Sequence, residues 1–221
     1  MKNNLETGQS AGLPTHEVVY RQMRELILFG EIAPGQAVTI QGITDRLNAG
    51  MTPVREAIRR LTAEGALSFQ GNRRIIVPVL TSENLQELVF ARQAIEPQLI
   101  ILATQKVTSP ELDALTDIDS GLDEAIKIGD VGAYLQHNYK FHKTLYDIAQ
   151  APILSSIADG LWLRYGPSLR VVCGRVGTQS LIDQHKETLI AMRAGDPERA
   201  ARAIREDVVQ GMDQIRQVTP S

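Results

Sequence analysis

Residues 40–64 constrain this chain more than any other stretch. Ile43 and Leu47 form the apolar side of one short helical pattern, and Val54, Ile58 and Leu61, spaced four and three apart, form the stripe of a second. Between them Asn48-Ala49-Gly50 has the chemistry of a tight helix-to-helix turn. Thr52 is placed to cap the second helix and Pro53 to fill its first position, where a missing N–H costs nothing. The face opposite the stripe carries Arg55 and Arg59. Two helices joined in this way, the second basic near its start, predict a helix-turn-helix with its recognition helix. Gly65 ends the helix, Leu67-Ser68-Phe69 alternates as a strand does, Gln70-Gly71-Asn72-Arg73 is turn chemistry, and Ile75-Ile76-Val77 is a second β-branched run. A hairpin with Arg73 and Arg74 near its tip turns the unit into a winged helix and points to double-stranded DNA. Amphipathic arginine-rich helices are common solvated surfaces, so the ordered series carries that reading and the arginines alone do not.

The net charge of −3 looks wrong for a DNA binder until it is divided along the chain. Residues 15–80 hold eight Lys or Arg against six Asp or Glu, while residues 81–221 hold fourteen against nineteen. Positive charge therefore sits with the expected DNA reader, and the acidic remainder should face elsewhere. The single cysteine, Cys173, excludes an internal disulfide framework. No run approaches the roughly 18 uninterrupted apolar residues of a membrane span. The first fourteen residues are polar and lack the apolar segment of a signal peptide, so a cytoplasmic protein is expected.

Three regions follow: a disordered lead-in over 1–14, a winged helix-turn-helix over 15–80, and an all-helical unit over 81–221. Before the helix-turn-helix, Glu17 to Phe29 is an amphipathic helix ending at Gly30. After Thr81 the periodicity is purely helical. Leu85, Leu88, Ile95, Leu99 and Leu102 share one seam; Ser109-Pro110-Glu111 starts the next helix with a cap and a proline, and Gly129 stops it. Asp130 caps a third. Pro152 opens a fourth whose apolar side includes Ile153, Ile157 and Leu161, and the chain turns around Gly174 to Gly177. Ser180 to Ala194 is the fifth, and Asp196-Pro197-Glu198 opens the last, to about Ile215. Six helices with short links predict an antiparallel bundle, and a mostly α protein with one small β-hairpin.

Several polar residues fall where core residues belong. Arg92 lies on the seam of the first bundle helix, Asn138 and His142 one turn apart on that of the third, His185 on the fifth and Asp207 on the last. Buried polar groups are costly unless paired, so the convergence implies a polar cavity for a small molecule, with Arg92, Asn138, His142 and His185 as its contacts. Two imidazoles, a carboxylate and an amide oxygen (His142, His185, Asp207 and Asn138) also suit a divalent transition metal, with Zn, Ni, Mn or Fe compatible. Arg92 has three candidate partners: a carboxylate ligand, Glu96 one turn along, or a second subunit. A lone histidine on an apolar face is more often a hydrogen-bonded core residue, and that reading stays open for each.

The run from Val19 to Gly35, followed by Thr52-Pro53-Val54-Arg55-Glu56-Ala57-Ile58-Arg59-Arg60-Leu61 and Ala63-Glu64-Gly65, resembles the GntR family of bacterial transcriptional regulators. Ala91-Arg92-Gln93-Ala94-Ile95-Glu96-Pro97, Phe141-His142 and Gly195-Asp196 are similar to its FadR-type subfamily, which has an all-helical FCD effector domain. The resemblance spans residues 16–215. It implies a homodimer on a short palindromic operator, usually a repressor released by a small organic acid or related metabolite. It places the DNA contacts on Thr52, Arg55 and the wing around Asn72 and Arg73, to which Arg59, on the face opposite the stripe, and Arg74, near the hairpin tip, are added. Members commonly have Ser-Arg before the Thr-Pro pair; this chain has Gly50-Met51, which changes the expected operator because that arginine often reads a guanine. Arg74 stands where a glycine is usual. Many such effector domains hold a metal with one Asp and three His, and the matching positions here are Asn138, His142, His185 and Asp207, two of them changed.

A ligand-responsive DNA-binding regulator, not an enzyme, is the leading expectation. The rivals are a metal-dependent enzyme using His142, His185 and Asp207, with no evident general base, and a bundle that only dimerises. Cys173 as a nucleophile is weaker than either.

Overall fold

The computed structural model describes residues 15–71, 74–176 and 184–218. The expected lead-in, the wing residues Asn72 and Arg73, and the expected turn at Gly177 lie outside the described residues.

Helix α1 (Thr15–Leu28) buries Val19, Tyr20, Met23, Ile27 and Leu28, and Gly30, at φ 64°, turns the chain out of it. Helix α2 (Ile40–Leu47) is capped by Thr39, whose hydroxyl accepts from the Gly42 N–H, and ends on Asn48 in the left-handed conformation. Helix α3 (Met51–Ala63) buries Val54, Ala57, Ile58 and Leu61, the expected stripe. Its cap is Gly50, which has no side chain to offer, so Thr52 lies inside the first turn and does not cap it. The hairpin is β2 (Ser68–Gln70) paired antiparallel with β3 (Arg74–Ile76), Phe69 opposite Ile75. A strand absent from the sequence reading, β1 (Ala37–Val38), pairs with the other edge of β3, giving the order β1-β3-β2. Two residues are too few to show alternation.

The bundle comprises α4 (Ser82–Lys106), α5 (Ser109–Ile128), α6 (Val131–Ala149), α7 (Pro152–Val176), α8 (Gln184–Arg193) and α9 (Pro197–Val218). Helix α4 is central, packing on α6, α7 and α9, while α5 lies against α6 and α8. Thr81 and Asn84 form a reciprocal capping box at the start of α4. At α5 the capping residue is Thr108, one earlier than expected; the Glu111 carboxylate accepts from its N–H and its hydroxyl, both at 2.8 Å. Helix α7 continues through Gly174, where a turn was expected. Its buried side is Ala158, Trp162, Tyr165, Leu169 and Val172, so the expected stripe is mislaid: Ile153 and Ile157 face outward, the former 76% exposed. No helix among the described residues is long and apolar enough to cross a membrane.

Candidate nucleic-acid interface and polar cavity

Burying Val54, Ile58 and Leu61 against α1 forces the opposite side of α3 outward, and Thr52, Arg55 and Arg59 are exposed there. Arg55 has no ion pair among the described residues. Arg59 is held along the helix surface by Glu56, Nη2 to Oε1 at 2.7 Å and Nε to Oε2 at 3.2 Å. Arg60 is used differently. Its guanidinium lies 3.5 Å from the Tyr20 ring centroid and binds Glu17 at 2.9 Å and Glu64 at 3.2 Å, stapling α3 to α1. Arg74 is exposed at the start of β3. An open groove of about 720 Å³ runs past Thr52, Arg55 and Arg59 and is closed on one side by Thr15 and His16, residues the sequence reading passed over.

The five bundle residues come from four helices. Arg92 on α4, Asn138 and His142 on α6, and His185 on α8 are buried, and Asp207 on α9 is partly so. His142, His185 and Asp207 place one donor atom each within 4.8 Å of one another. The Asp207 carboxylate lies 3.2 Å from His142 Nε2 and 3.8 Å from His185 Nε2, so this short side chain does reach the histidines. On their far sides the rings face two further carboxylates, one expected only as a partner of Arg92 and the other not expected at all. Glu96 lies 3.6 Å from His142 Nδ1, and Asp119 lies 3.3 Å from His185 Nδ1. Arg92 is paired with Glu96, through Nε to Oε1 and Nη2 to Oε2 at 3.2 Å, which settles its partner. Its guanidinium is also stacked near Tyr165, 4.3 Å from the ring centroid, and Trp162, 5.2 Å away.

Electrostatics follow from that layout. Burial by itself would raise the Glu96 carboxyl, but Arg92 and His142 outweigh it and hold it at about 2. Burial acts the same way on Asp207, and the two histidines hold it at about 2. Burial opposes protonation of His142, yet Asp207 and Glu96 push its pKa above the ordinary imidazole value. Arg92 and Asp207 also line a cavity of about 30 Å³, with Tyr134, Asn138, Trp162 and Gln214. That volume suits an ion or a water, so an organic ligand would have to displace side chains.

These residues fit a metal ion. Both His142 nitrogens are buried and lack an aligned hydrogen-bond partner, although carboxylate oxygens lie close by. An unsatisfied buried imidazole is costly, and a cation held by His142 together with His185 and Asp207 would relieve it. Carboxyl groups also outnumber the guanidinium three to one around the two rings, a balance that a divalent cation would redress.

A winged helix-turn-helix with an outward basic face, joined to a helical bundle with a polar interior, defines a ligand-sensing DNA-binding regulator. Family comparison agrees: residues 15–77 match the bacterial regulatory proteins of the gntR family, and residues 87–210 match the FCD domain. The chain belongs to the GntR family, in its FadR-type branch, and is a transcriptional regulator. It is similar to the HTH-type transcriptional regulator McbR of Escherichia coli K12, 26% identical over 197 residues that cover 88% of this chain and 89% of McbR. The HTH-type transcriptional repressor RspR of the same organism is 23% identical, over 97% of this chain and 94% of its own. Among solved structures, E. coli McbR/YncC superposes with a TM-score of 0.86 at 25% identity, covering 93% of this chain and 98% of that one. A GntR regulator from Rhodococcus sp. RHA1 shares the fold, with a TM-score of 0.76 at 20% identity, over 93% of this chain and 99% of that one.

Proposed function

We propose that the protein is a cytoplasmic, homodimeric repressor that leaves its operator when a small carboxylate binds in the helical bundle. The observation that carries the DNA half is Arg55, exposed near the start of α3 beside an open groove and unpaired among the described residues. Thr52, Arg55 and Arg59 enter the major groove, and Asn72, Arg73 and Arg74 of the wing hold the adjacent backbone. Large apolar side chains left on the outside of α4 and α7, Phe90 and Ile153, favour a second copy packing there.

In the bundle, His142, His185 and Asp207 hold a divalent ion of the Zn, Ni, Mn or Fe class, with Asn138 lining the cavity that adjoins them at Asp207. Such an ion supplies a positive point at which an effector carboxylate docks. The group is read as a sensor and not as a catalyst. Its cavity is small, and Cys173 is no nucleophile, since burial pushes its thiol up to about 11.

The test is selection of tight-binding duplexes in vitro, followed by titration of the best with wild-type protein and Arg55→Ala. Loss of about 1–3 kcal/mol of binding is expected if Arg55 contacts a base. Equal affinity in a folded variant would remove Arg55 from the interface.

A further inference from the structure

Helix α1 belongs to the DNA-reading head, yet its far end is laid directly on α7 of the bundle. The Leu28 carbonyl sits over Gly166, where a Cβ would come within 2.3 Å of the oxygen. Arg170 reaches back to donate to the Phe29 carbonyl at 3.2 Å. Between these points and the head lies a polar clamp. Arg24 Nη2 donates to Asp159 Oδ2 at 2.7 Å, the Tyr139 hydroxyl donates to Asp159 Oδ1 at 2.5 Å, and Arg24 Nη1 lies 3.4 Å from the same hydroxyl.

The clamp backs onto the polar cavity through aromatic rings. Phe29 meets Tyr139 edge-on at 5.9 Å, Tyr139 meets Trp162 edge-on at 5.5 Å, and Trp162 lies 5.1 Å from His142. Trp162 also lines the cavity beside Arg92 and Asp207. Two rings, Tyr139 and Trp162, therefore stand between the His142 side chain and the head. Close-packed side chains do not deform continuously, so a ligand that moves Trp162 must also move Tyr139 or break its contacts.

We propose that Arg24, Tyr139 and Asp159, with Trp162 behind them, are positioning residues that make the orientation of the DNA-reading head depend on the state of the cavity. The inference rests on the DNA-binding reading and adds its route of control. Coupling of binding sites is reciprocal: if a cavity ligand biases the head, DNA on the head biases the cavity. Trp162 is the only tryptophan in the chain and is buried in the bundle, so a change in its emission reports the protein's interior and not direct contact with DNA.

The experiment adds an in-vitro-selected duplex to the full-length protein while Trp162 emission is recorded and duplex binding is followed separately by anisotropy. Wild type should show a saturable emission change that tracks binding. Arg24→Ala and Tyr139→Phe should still bind the duplex but lose the emission change, and Arg24→Lys, which keeps the charge facing Asp159, should recover part of it. Tyr139→Phe keeps the ring and tests the clamp even if Arg24→Ala fails to fold. A wild-type emission that stays flat while the duplex binds would overturn the proposal, as would a full response in Tyr139→Phe. Failure of wild type to bind any selected duplex would instead overturn the DNA-binding reading, and this proposal with it.

Discussion

Arg55 projects from α3 into solvent without an intramolecular ion pair among the described residues, whereas Arg92 lies inside the bundle, paired with Glu96 and flanked by Tyr165 and Trp162. The outer face of α3 keeps its cations in solvent, where each pair formed with a neighbour is worth little and is readily exchanged for a phosphate. The bundle keeps its ions inside, where removing one partner strands the other. The difference teaches how to sort charged residues in a regulator of this kind. Those that meet a partner macromolecule are left free or loosely held, and those that shape a ligand site are fixed by carboxylates behind them.

The comparison breaks most visibly at Glu96. Glu96→Ala leaves Arg92 uncompensated inside the bundle and should cost about 3–5 kcal/mol, measured by urea unfolding; a loss below about 1 kcal/mol would mean that the pair behaves like a surface pair. A smaller effect is expected at Tyr20, whose hydroxyl donates to Glu64 at 2.9 Å within the head. Tyr20→Phe should cost roughly 1.5 kcal/mol. Burial, and then Glu64, push the Tyr20 phenol up to about 12 from an ordinary 10. Its stabilising contribution is therefore complete below about 10 and lost as pH rises through 12, so the alkaline decline seen by thermal unfolding should be shallower in Tyr20→Phe than in wild type. Smaller again is Glu56→Gln. It releases Arg59 from a fully exposed pair and should leave the unfolding midpoint essentially unchanged while raising duplex affinity at low salt; a marked loss of stability would place Arg59 among the structural arginines with Arg60. At the end of the scale stands Cys173, whose raised, buried thiol should resist a water-soluble thiol reagent at neutral pH until the protein is unfolded.

The head was legible in the sequence because its signals are local. Caps, turn residues and a short stripe sit within a few positions of one another, and errors were small, such as Gly50 capping α3 where Thr52 was expected. His142, His185 and Asp207 were legible for a different reason: each interrupts an otherwise apolar seam. Asp119 was not, because it stands among Asp113, Asp117 and Asp123 on α5, and only the packing of α8 against that helix decides which acid is buried. Glu96 was visible merely as a possible partner of Arg92, although the core side of α4 runs through it and leaves Ile95 half-buried. On α7 two apolar stripes compete, Ile153-Ile157-Leu161 and Ala158-Trp162-Tyr165-Leu169, and neighbouring α4 and α6 select the second. Periodicity finds amphipathic helices well but does not rank two apolar faces of one helix.

The claim that joins both regions is that the bundle's interior is arranged for a bound cation. Metal-stripped protein titrated with Co²⁺ should bind one ion per chain, release protons and rise in melting temperature, and His185→Ala should lose most of that rise. Wild-type protein that takes up no Co²⁺, or whose melting temperature rises equally with and without His185, would contradict it.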